Sequence, residues 1–149
     1  MAPEVIEVEA QALVVARPER QGDLGRVIMP LLGKVWEFLR SGGQRTGHNV
    51  VVYQTAPQGG VEVVEAGVQV FDSITSLPDG LVASATPAGR VAKTLHVGPY
   101  SGLAAASASL AAWCAANDHG LAGQSWEVYG DWDQDESKLE TEIYLMLRD

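Results

Sequence analysis

SWEVYGDW, at residues 125–132, is the stretch that decides the fold, because bulky apolar residues alternate in it with polar ones. A period of two is typical of a β-strand whose two faces meet different surroundings. The predicted faces hold Trp126, Val128 and Trp132 on one side, and Ser125, Glu127, Tyr129 and Asp131 on the other. We expect helices to cover the apolar face, which leaves Glu127 and Tyr129 side by side on the opposite face.

The residues around this strand predict the element order β-α-β-β twice along the chain. In the first half we predict a strand at 4–17, a helix capped by Asp23 and ending at Gly42 and Gly43, and strands at 49–55 and 61–71 joined by a turn at 56–60. Pro30 either kinks that helix or begins it. In the second half we predict strands at 81–84 and 90–97, a helix capped by Ser101 and ending near Gly120, and strands at 125–132 and 139–147.

Matching landmarks in the two halves favour a duplication. Trp36, Gly47 and Tyr53 of the first half correspond to Trp113, Gly123 and Tyr129 of the second. Either unit alone has too few strands for a core of its own. We therefore predict one α+β domain over residues 1–149, with pseudo-two-fold halves at about 1–75 and 76–149. The halves share an antiparallel sheet with two main helices, and a ligand groove lies between them.

The composition restricts the partners of the chain. Its net charge is -9 and its ten Lys and Arg residues are scattered, which disfavours nucleic-acid binding, because such binding needs a basic surface, and we expect no nucleic-acid partner. One cysteine, Cys114, and three separated histidines predict neither a disulfide nor a metal site, and we expect no cofactor. The N-terminus is acidic rather than a signal sequence, and no apolar run is long enough to cross a membrane. We expect a cytoplasmic monomer or weak homodimer.

Glu127 is the candidate binding residue, because the matching position in the first half is the apolar Val51. A carboxylate among bulky aromatic side chains is costly to desolvate unless a cation pairs with it. A cationic ligand would be such a partner, and the rings of Tyr53, Tyr129 and Tyr144 would add cation–π attraction. An exposed glutamate on a solvated sheet face, or one paired with a lysine or arginine of the chain, is the alternative that the residues leave open.

Other aromatic and titratable residues have two interpretations each. In the segment from His96 to Tyr100, His96 is a candidate general base and Tyr100 a candidate groove residue, but both also suit a strand–helix junction. Trp36 and Trp113 lie on the core faces of the predicted helices, so packing is favoured over ligand stacking. The acidic run at 131–136 lacks the spacing of a calcium loop and predicts a solvated hairpin loop.

The order and spacing of these residues resemble the GyrI-like, or bacterial effector-binding, family. The matching residues are VEVVEAGVQV at 61–70, Leu77, Pro78, Pro87, Ala88, Gly89, Val91, Ala92, His96, Gly98, Pro99, Tyr100, Leu110, Trp113, Gly123, Glu127, Tyr129 and the run Thr141, Glu142, Ile143 and Tyr144. The first 60 residues or so match only in general pattern.

The resemblance implies a groove in which the glutamate of the Glu-x-Tyr strand, here Glu127, anchors a cationic or aromatic drug-like molecule. It also implies aromatic walls at Tyr144 and at Tyr53, Tyr100 and Trp36. Relatives are often fused to helix-turn-helix domains, for which this chain has no room, so a stand-alone binder is expected. The chain departs from its relatives in the Ala-rich run 104–108 and at Met146, so ligand identity does not carry over.

Three functions are open at this point. The predicted one is small-molecule binding of the multidrug type, without turnover and dependent on Glu127. The second is a hydrolase that opens cyclopropane rings of DNA-alkylating natural products, in which Glu127 activates water and Tyr129 or Tyr144 donates a proton. The third is a gyrase-inhibitor-like module that binds a basic protein partner through its acidic surface, including the run 131–136.

Overall fold

The computed structural model describes residues 2–16, 24–55, 61–74 and 76–148. The elements are β1 (Glu4–Val8), β2 (Ala12–Ala16), α1 (Leu24–Gly42), β3 (Thr46–Thr55), β4 (Val61–Val70), β5 (Leu81–Ala85), β6 (Gly89–Val97), α2 (Leu103–Ala116), β7 (Leu121–Tyr129) and β8 (Glu140–Leu147). Short 3₁₀ turns lie at Tyr100–Gly102 and Glu136–Lys138. Within these ranges, no helix is long and apolar enough to cross a membrane.

All eight strands form one antiparallel sheet in the order β1-β6-β8-β7-β3-β4-β2-β5. The predicted α+β class with an antiparallel sheet and two main helices is confirmed. Exchanging β1 with β5, β2 with β6, β3 with β7 and β4 with β8 reproduces the same order read from the other end. The centre of this symmetry is the β3–β7 pair, in which Val51 lies opposite Glu127. That the halves arose by duplication stays a prediction.

The two helices cover the face of the sheet that carries Glu127. Leu32 and Val35 of α1 pack in one cluster with Val51, and Leu110 of α2 packs in another with Ile143. Val51 and Ile143 are the strand neighbours of Glu127 on either side. The prediction that the helices cover the face of Trp126 and Val128 is therefore wrong.

The opposite face is buried as well, because the sheet curls onto itself. Trp126 and Val128 cluster there with Val15 of β2 and Val91 of β6, although those strands are far apart in the sheet order. The link between β1 and β2 is only residues 9–11, and an extended chain spans at most about 3.6 Å per residue. The short link keeps the two ends of the sheet close, so an apolar face without helices is still buried.

Several element boundaries differ from the predicted ones. The single strand predicted at 4–17 is two strands, β1 and β2, that pair with different partners. Helix α1 continues through Pro30 and ends at Gly42. The proposed cap Asp23 and the turn at 56–60 lie outside the described residues.

In the second half, both ends of helix α2 and the end of strand β7 differ from the predicted boundaries. Ser101 does not cap α2, because a 3₁₀ turn precedes the helix and Gly102 occupies the N-cap position with no side-chain hydrogen bond. The helix ends at Ala116 rather than near Gly120. Strand β7 ends at Tyr129, so Trp132 lies beyond it and does not share the face of Trp126.

Candidate functional site

Glu127 sits at the centre of the sheet with its carboxylate held by two phenols. Its exposed fraction is 9%. The hydroxyl of Tyr129 donates a hydrogen bond to Glu127 Oε1 at 2.7 Å, and the hydroxyl of Tyr53 donates to the same oxygen at 3.0 Å. Hydrogen bonds to a charged acceptor are stronger than neutral ones, so the pair partly replaces the lost hydration of the carboxylate.

The surroundings of Tyr53 and Tyr129 keep both hydroxyls protonated, so that both can donate a hydrogen bond. Burial, and then the negative charge of Glu127, raises the pKa of Tyr129 and the pKa of Tyr53 well above the ordinary value of 10.0. Among the described residues, no lysine, arginine or histidine pairs with Glu127. The ion-pair partner that the sequence left open is therefore not found in the described part of the chain.

A pocket of about 400 Å³ lies between α1, the start of α2 and the end of β7. It is lined by Ile28, Met29, Leu32, Asn49, Tyr100, Leu103, Tyr129, Gly130 and Trp132. Tyr129 lines this pocket and also binds Glu127, so it connects the cavity to the carboxylate. The ring of Tyr100 packs edge-on against that of Tyr129, with the centroids 5.5 Å apart and the planes at 80°.

Exposed apolar side chains surround the mouth of the pocket. Met29 and Trp132 are 73% and 75% exposed, and Tyr100 is 41% exposed. Single exposed apolar residues are ordinary, but several around one concave surface are typical of a binding site. Other cavities of similar volume exist. One of them is lined by Lys93, Glu140 and Glu142, among others, but not by Glu127 or its two tyrosine partners.

One family model matches nearly the whole chain. The model of the GyrI-like small molecule binding domain matches residues 1–148. The chain belongs to the GyrI-like family. No curated protein matches its sequence.

Solved structures share the fold of this GyrI-like domain. The C-terminal domain of EcmrR has a TM-score of 0.83 at 19% identity, over 99% of this chain and 98% of that one. EcmrR in complex with DNA has a TM-score of 0.82 at 20% identity over 99% of this chain, which spans 57% of its length. SAV2435 bound to tetraphenylphosphonium has a TM-score of 0.68 at 11% identity, over 99% and 94% of the two chains. A hydrolase from Listeria innocua has a TM-score of 0.63 at 10% identity, over 98% and 91%.

Tyr144 does not belong to the same site as Glu127 in this GyrI-like domain. Its ring stacks on Trp126 at 5.1 Å between centroids, on the face without helices, and Lys93 Nζ lies 5.4 Å from the ring centroid. Neighbouring residues of a strand point to opposite faces, and Tyr144 follows Ile143, which is the neighbour of Glu127. The prediction that Tyr144 lines the groove or donates a proton beside Glu127 is wrong.

Four other predicted site residues also lie outside the pocket lining: Tyr53, which binds Glu127, and Trp36, Trp113 and His96. Trp36 Nε1 donates to Asn49 Oδ1 at 2.7 Å, and Arg40 lies over its ring. Trp113 stacks on His119 at the end of α2, with the centroids 5.8 Å apart.

His96 Nε2 lies 2.9 Å from the carbonyl oxygen of Pro99, which fixes the junction between β6 and the 3₁₀ turn. This contact supports its role at the junction, and within the described part of the chain His96 makes no hydrogen bond or ion pair with Glu127. Within the described ranges, no group of three His, Cys, Asp or Glu residues is arranged to hold a metal ion.

The sequence missed several residues of the pocket lining. Met29, Leu32, Asn49 and Trp132 line the pocket but were not among the predicted site residues. Trp132 carried a signal, because it follows Gly130 and so stands where the strand pattern ends. The α1 residues carried none, since a helix residue at the edge of an apolar face looks the same whether it packs or lines a cavity.

Proposed function

We propose that this GyrI-like domain binds an aromatic monocation in the pocket between the helices, with Glu127 as its anionic anchor. The observation that carries this proposal is the buried Glu127 carboxylate, which two phenols hold and which no cation of the described residues neutralises. A buried charge without a counter-charge is costly, so a ligand cation recovers part of that cost.

Tyr129 is the residue that links Glu127 to the pocket. Glu127 is not among the lining residues, whereas Tyr129 both lines the cavity and donates to the carboxylate. A phenol that donates to a carboxylate is polarised toward its anion, which makes its ring face more attractive to a cation. The carboxylate adds direct Coulomb attraction, which water screens little at a buried site.

The rest of the lining favours a large cation with delocalised charge. Ile28, Leu32 and Leu103 present hydrocarbon, and the unbranched side chain of Met29 adapts to different shapes. Such a surface offers few acceptors for the N–H groups of a compact ammonium ion. Tetraphenylphosphonium, which is bound to the structural neighbour SAV2435, has the chemistry that this lining favours.

Catalysis and protein inhibition have less support from the geometry. For hydrolysis, a phenol would have to donate a proton to the ligand, but Tyr53 and Tyr129 already donate to Glu127 and their pKa values are raised. For inhibition of a basic partner, the acidic loop would have to present free carboxylates. Two of its carboxylates are engaged within the loop, because Asp135 accepts hydrogen bonds from Ser137 and Asp133 accepts one from the backbone of Asp135, whereas the side chain of Asp131 is 98% exposed.

The test is a calorimetric titration with tetraphenylphosphonium and with neutral triphenylphosphine oxide. Wild type should bind the cation more tightly, and Glu127→Gln should weaken cation binding by at least about tenfold, which corresponds to about 1.4 kcal/mol. Glu65→Gln is the matched control, because Glu65 is another buried glutamate, bonded to Ser84, on the opposite face. Equal affinity of wild type and Glu127→Gln for the cation would contradict the proposal. Mass spectrometry of the recovered ligand separates binding from turnover.

A further inference from the structure

We infer that the side-chain amide of Asn49 is a second, oriented recognition group in the pocket. It selects cations that carry a hydrogen-bond acceptor, such as a carbonyl or ether oxygen, at a set distance from the charge. This inference rests on the proposed function, because it concerns what else the bound cation contacts.

Trp36 fixes which end of the Asn49 amide faces the pocket. An indole N–H is a donor only, so the amide must present its oxygen to it, and the 2.7 Å bond joins Trp36 Nε1 to Asn49 Oδ1. The NH₂ end of the same amide then points away from Trp36. Asn49 is one of the residues that line the pocket, and the proposal assigns this NH₂ group to the cavity. It makes no hydrogen bond with the described residues.

Other polar groups of the lining do not serve the same purpose. The hydroxyl of Tyr129 is bonded to Glu127. Tyr100 and Trp132 are exposed at the mouth, where water competes for their polar atoms. Asn49 is half-buried on the sheet floor, so a hydrogen bond from it is better shielded from water.

The strand register sets the separation between the two recognition groups. Val51 lies opposite Glu127, and Asn49 is two residues before Val51, so it points to the same face. The Cα atoms of diagonal neighbours of this kind in an antiparallel pair are about 7–8 Å apart. The two recognition groups are therefore separate, and the favoured ligand carries its acceptor oxygen away from its cationic centre, as at the far end of a ring.

A matched pair of probes tests the subsite. Tetraphenylphosphonium has no acceptor, and (4-acetylphenyl)triphenylphosphonium adds one carbonyl oxygen at the far end of one ring. Wild type should prefer the acetyl compound by roughly five- to tenfold, the usual net value of one hydrogen bond. Asn49→Leu should lose this preference, so that the ratio of its two affinities falls to about one. Trp36→Phe should reduce the preference, because nothing then holds the amide in one orientation.

The outcomes separate this inference from the proposed function. If both probes bind wild type equally, or if Asn49→Leu keeps the preference, the Asn49 subsite is wrong and the cation site stands. If neither probe binds wild type, the cation site is wrong and the subsite falls with it. A merely structural role of Trp36 would change both affinities together and leave their ratio as in wild type.

Discussion

Tyr53 and Tyr129 occupy equivalent positions in the two halves of the sheet, and both donate to the same atom, Glu127 Oε1. They reach it from opposite directions along the strands, because Tyr53 pairs with Ser125 while Tyr129 follows Glu127 by two residues. At the centre of the symmetry, the two equivalent positions hold Val51 in one half and Glu127 in the other. The single carboxylate at this centre therefore receives hydrogen bonds from two equivalent tyrosines, one from each half.

Removing the hydroxyl of either Tyr53 or Tyr129 should destabilise the fold. Tyr53→Phe and Tyr129→Phe each delete one hydrogen bond to a buried charge, and we expect each to lower the free energy of unfolding by about 1–3 kcal/mol. Urea denaturation measures the change. Tyr100→Phe is the control, because Tyr100 is 41% exposed and a change at an exposed hydroxyl has little effect on stability. Losses no larger than that of Tyr100→Phe would show that the two hydrogen bonds contribute little.

Replacing Glu127 with the residue of the first half tests the same network from its centre. Glu127→Val should abolish cation binding, and it should also destabilise the fold because two half-buried hydroxyls lose their acceptor. Adding Tyr53→Phe and Tyr129→Phe should then restore stability, since a fully apolar replacement of a buried polar group is often neutral. The measurement is the non-additivity of the three changes in urea denaturation. A triple variant no more stable than Glu127→Val would contradict this account.

Alkaline pH should weaken the fold through the same two phenols. Folding raises the pKa of Tyr53 and Tyr129, by burial first and by the charge of Glu127 second. A group whose pKa is raised by folding contributes stability that is complete below its unfolded pKa and is lost as the pH rises through the folded pKa. We therefore expect stability to fall above about pH 10, where tyrosine ionises in the unfolded chain.

The variant Tyr53→Phe/Tyr129→Phe identifies the source of that loss. Its stability should fall less steeply above pH 10 than that of wild type, with denaturant midpoints measured at several pH values. The raised pKa of Lys93, which has Glu142 as its main cause, acts in the same direction but is common to both proteins. The same slope in both proteins would assign the alkaline loss to other groups.

The sequence predicted the Glu127–Tyr129 pair but not the side of the sheet on which the helices lie. Alternation along residues 125–132 puts the two side chains on one face, and the match between Tyr53 and Tyr129 points to the second phenol. The rule that helices cover the apolar face failed because the short link between β1 and β2 makes the sheet curl. The face of Trp126 and Val128 is then buried against distant strands of the same sheet, without a helix. That closure depends on contacts between distant strands, which periodicity within one strand does not contain.

Trp132 and Tyr144 show the same limit in the site. Trp132 was assigned to a face from strand periodicity, yet it lies beyond the end of β7. Tyr144 was expected beside Glu127, yet it faces away from it. The family resemblance placed an aromatic wall at Tyr144, but the register Glu127–Ile143 puts Tyr144 on the opposite face. Register between strands, rather than pattern within one, decides which side chains meet.

The mouth of the pocket should affect affinity without affecting stability. Trp132 is 75% exposed, so Trp132→Ala should change the free energy of unfolding by no more than about 0.5 kcal/mol. The indole face is the strongest cation–π partner among side chains, so the same change should weaken tetraphenylphosphonium binding by roughly three- to tenfold. Val97→Ala is the control, since Val97 is also an exposed apolar residue but lies outside the pocket lining.

Calorimetry on these variants tests whether the residues at the mouth of the pocket contact the bound cation or whether the cation is held only at Tyr129. If the ligand contacts the mouth, Trp132→Ala and Met29→Ala both lose affinity, Val97→Ala does not, and the three melting temperatures agree with that of wild type. If Trp132→Ala binds as tightly as Val97→Ala, the exposed indole takes no part in recognition. The attraction would then come from Glu127 and Tyr129 alone, and Glu127→Gln should remove nearly all of it.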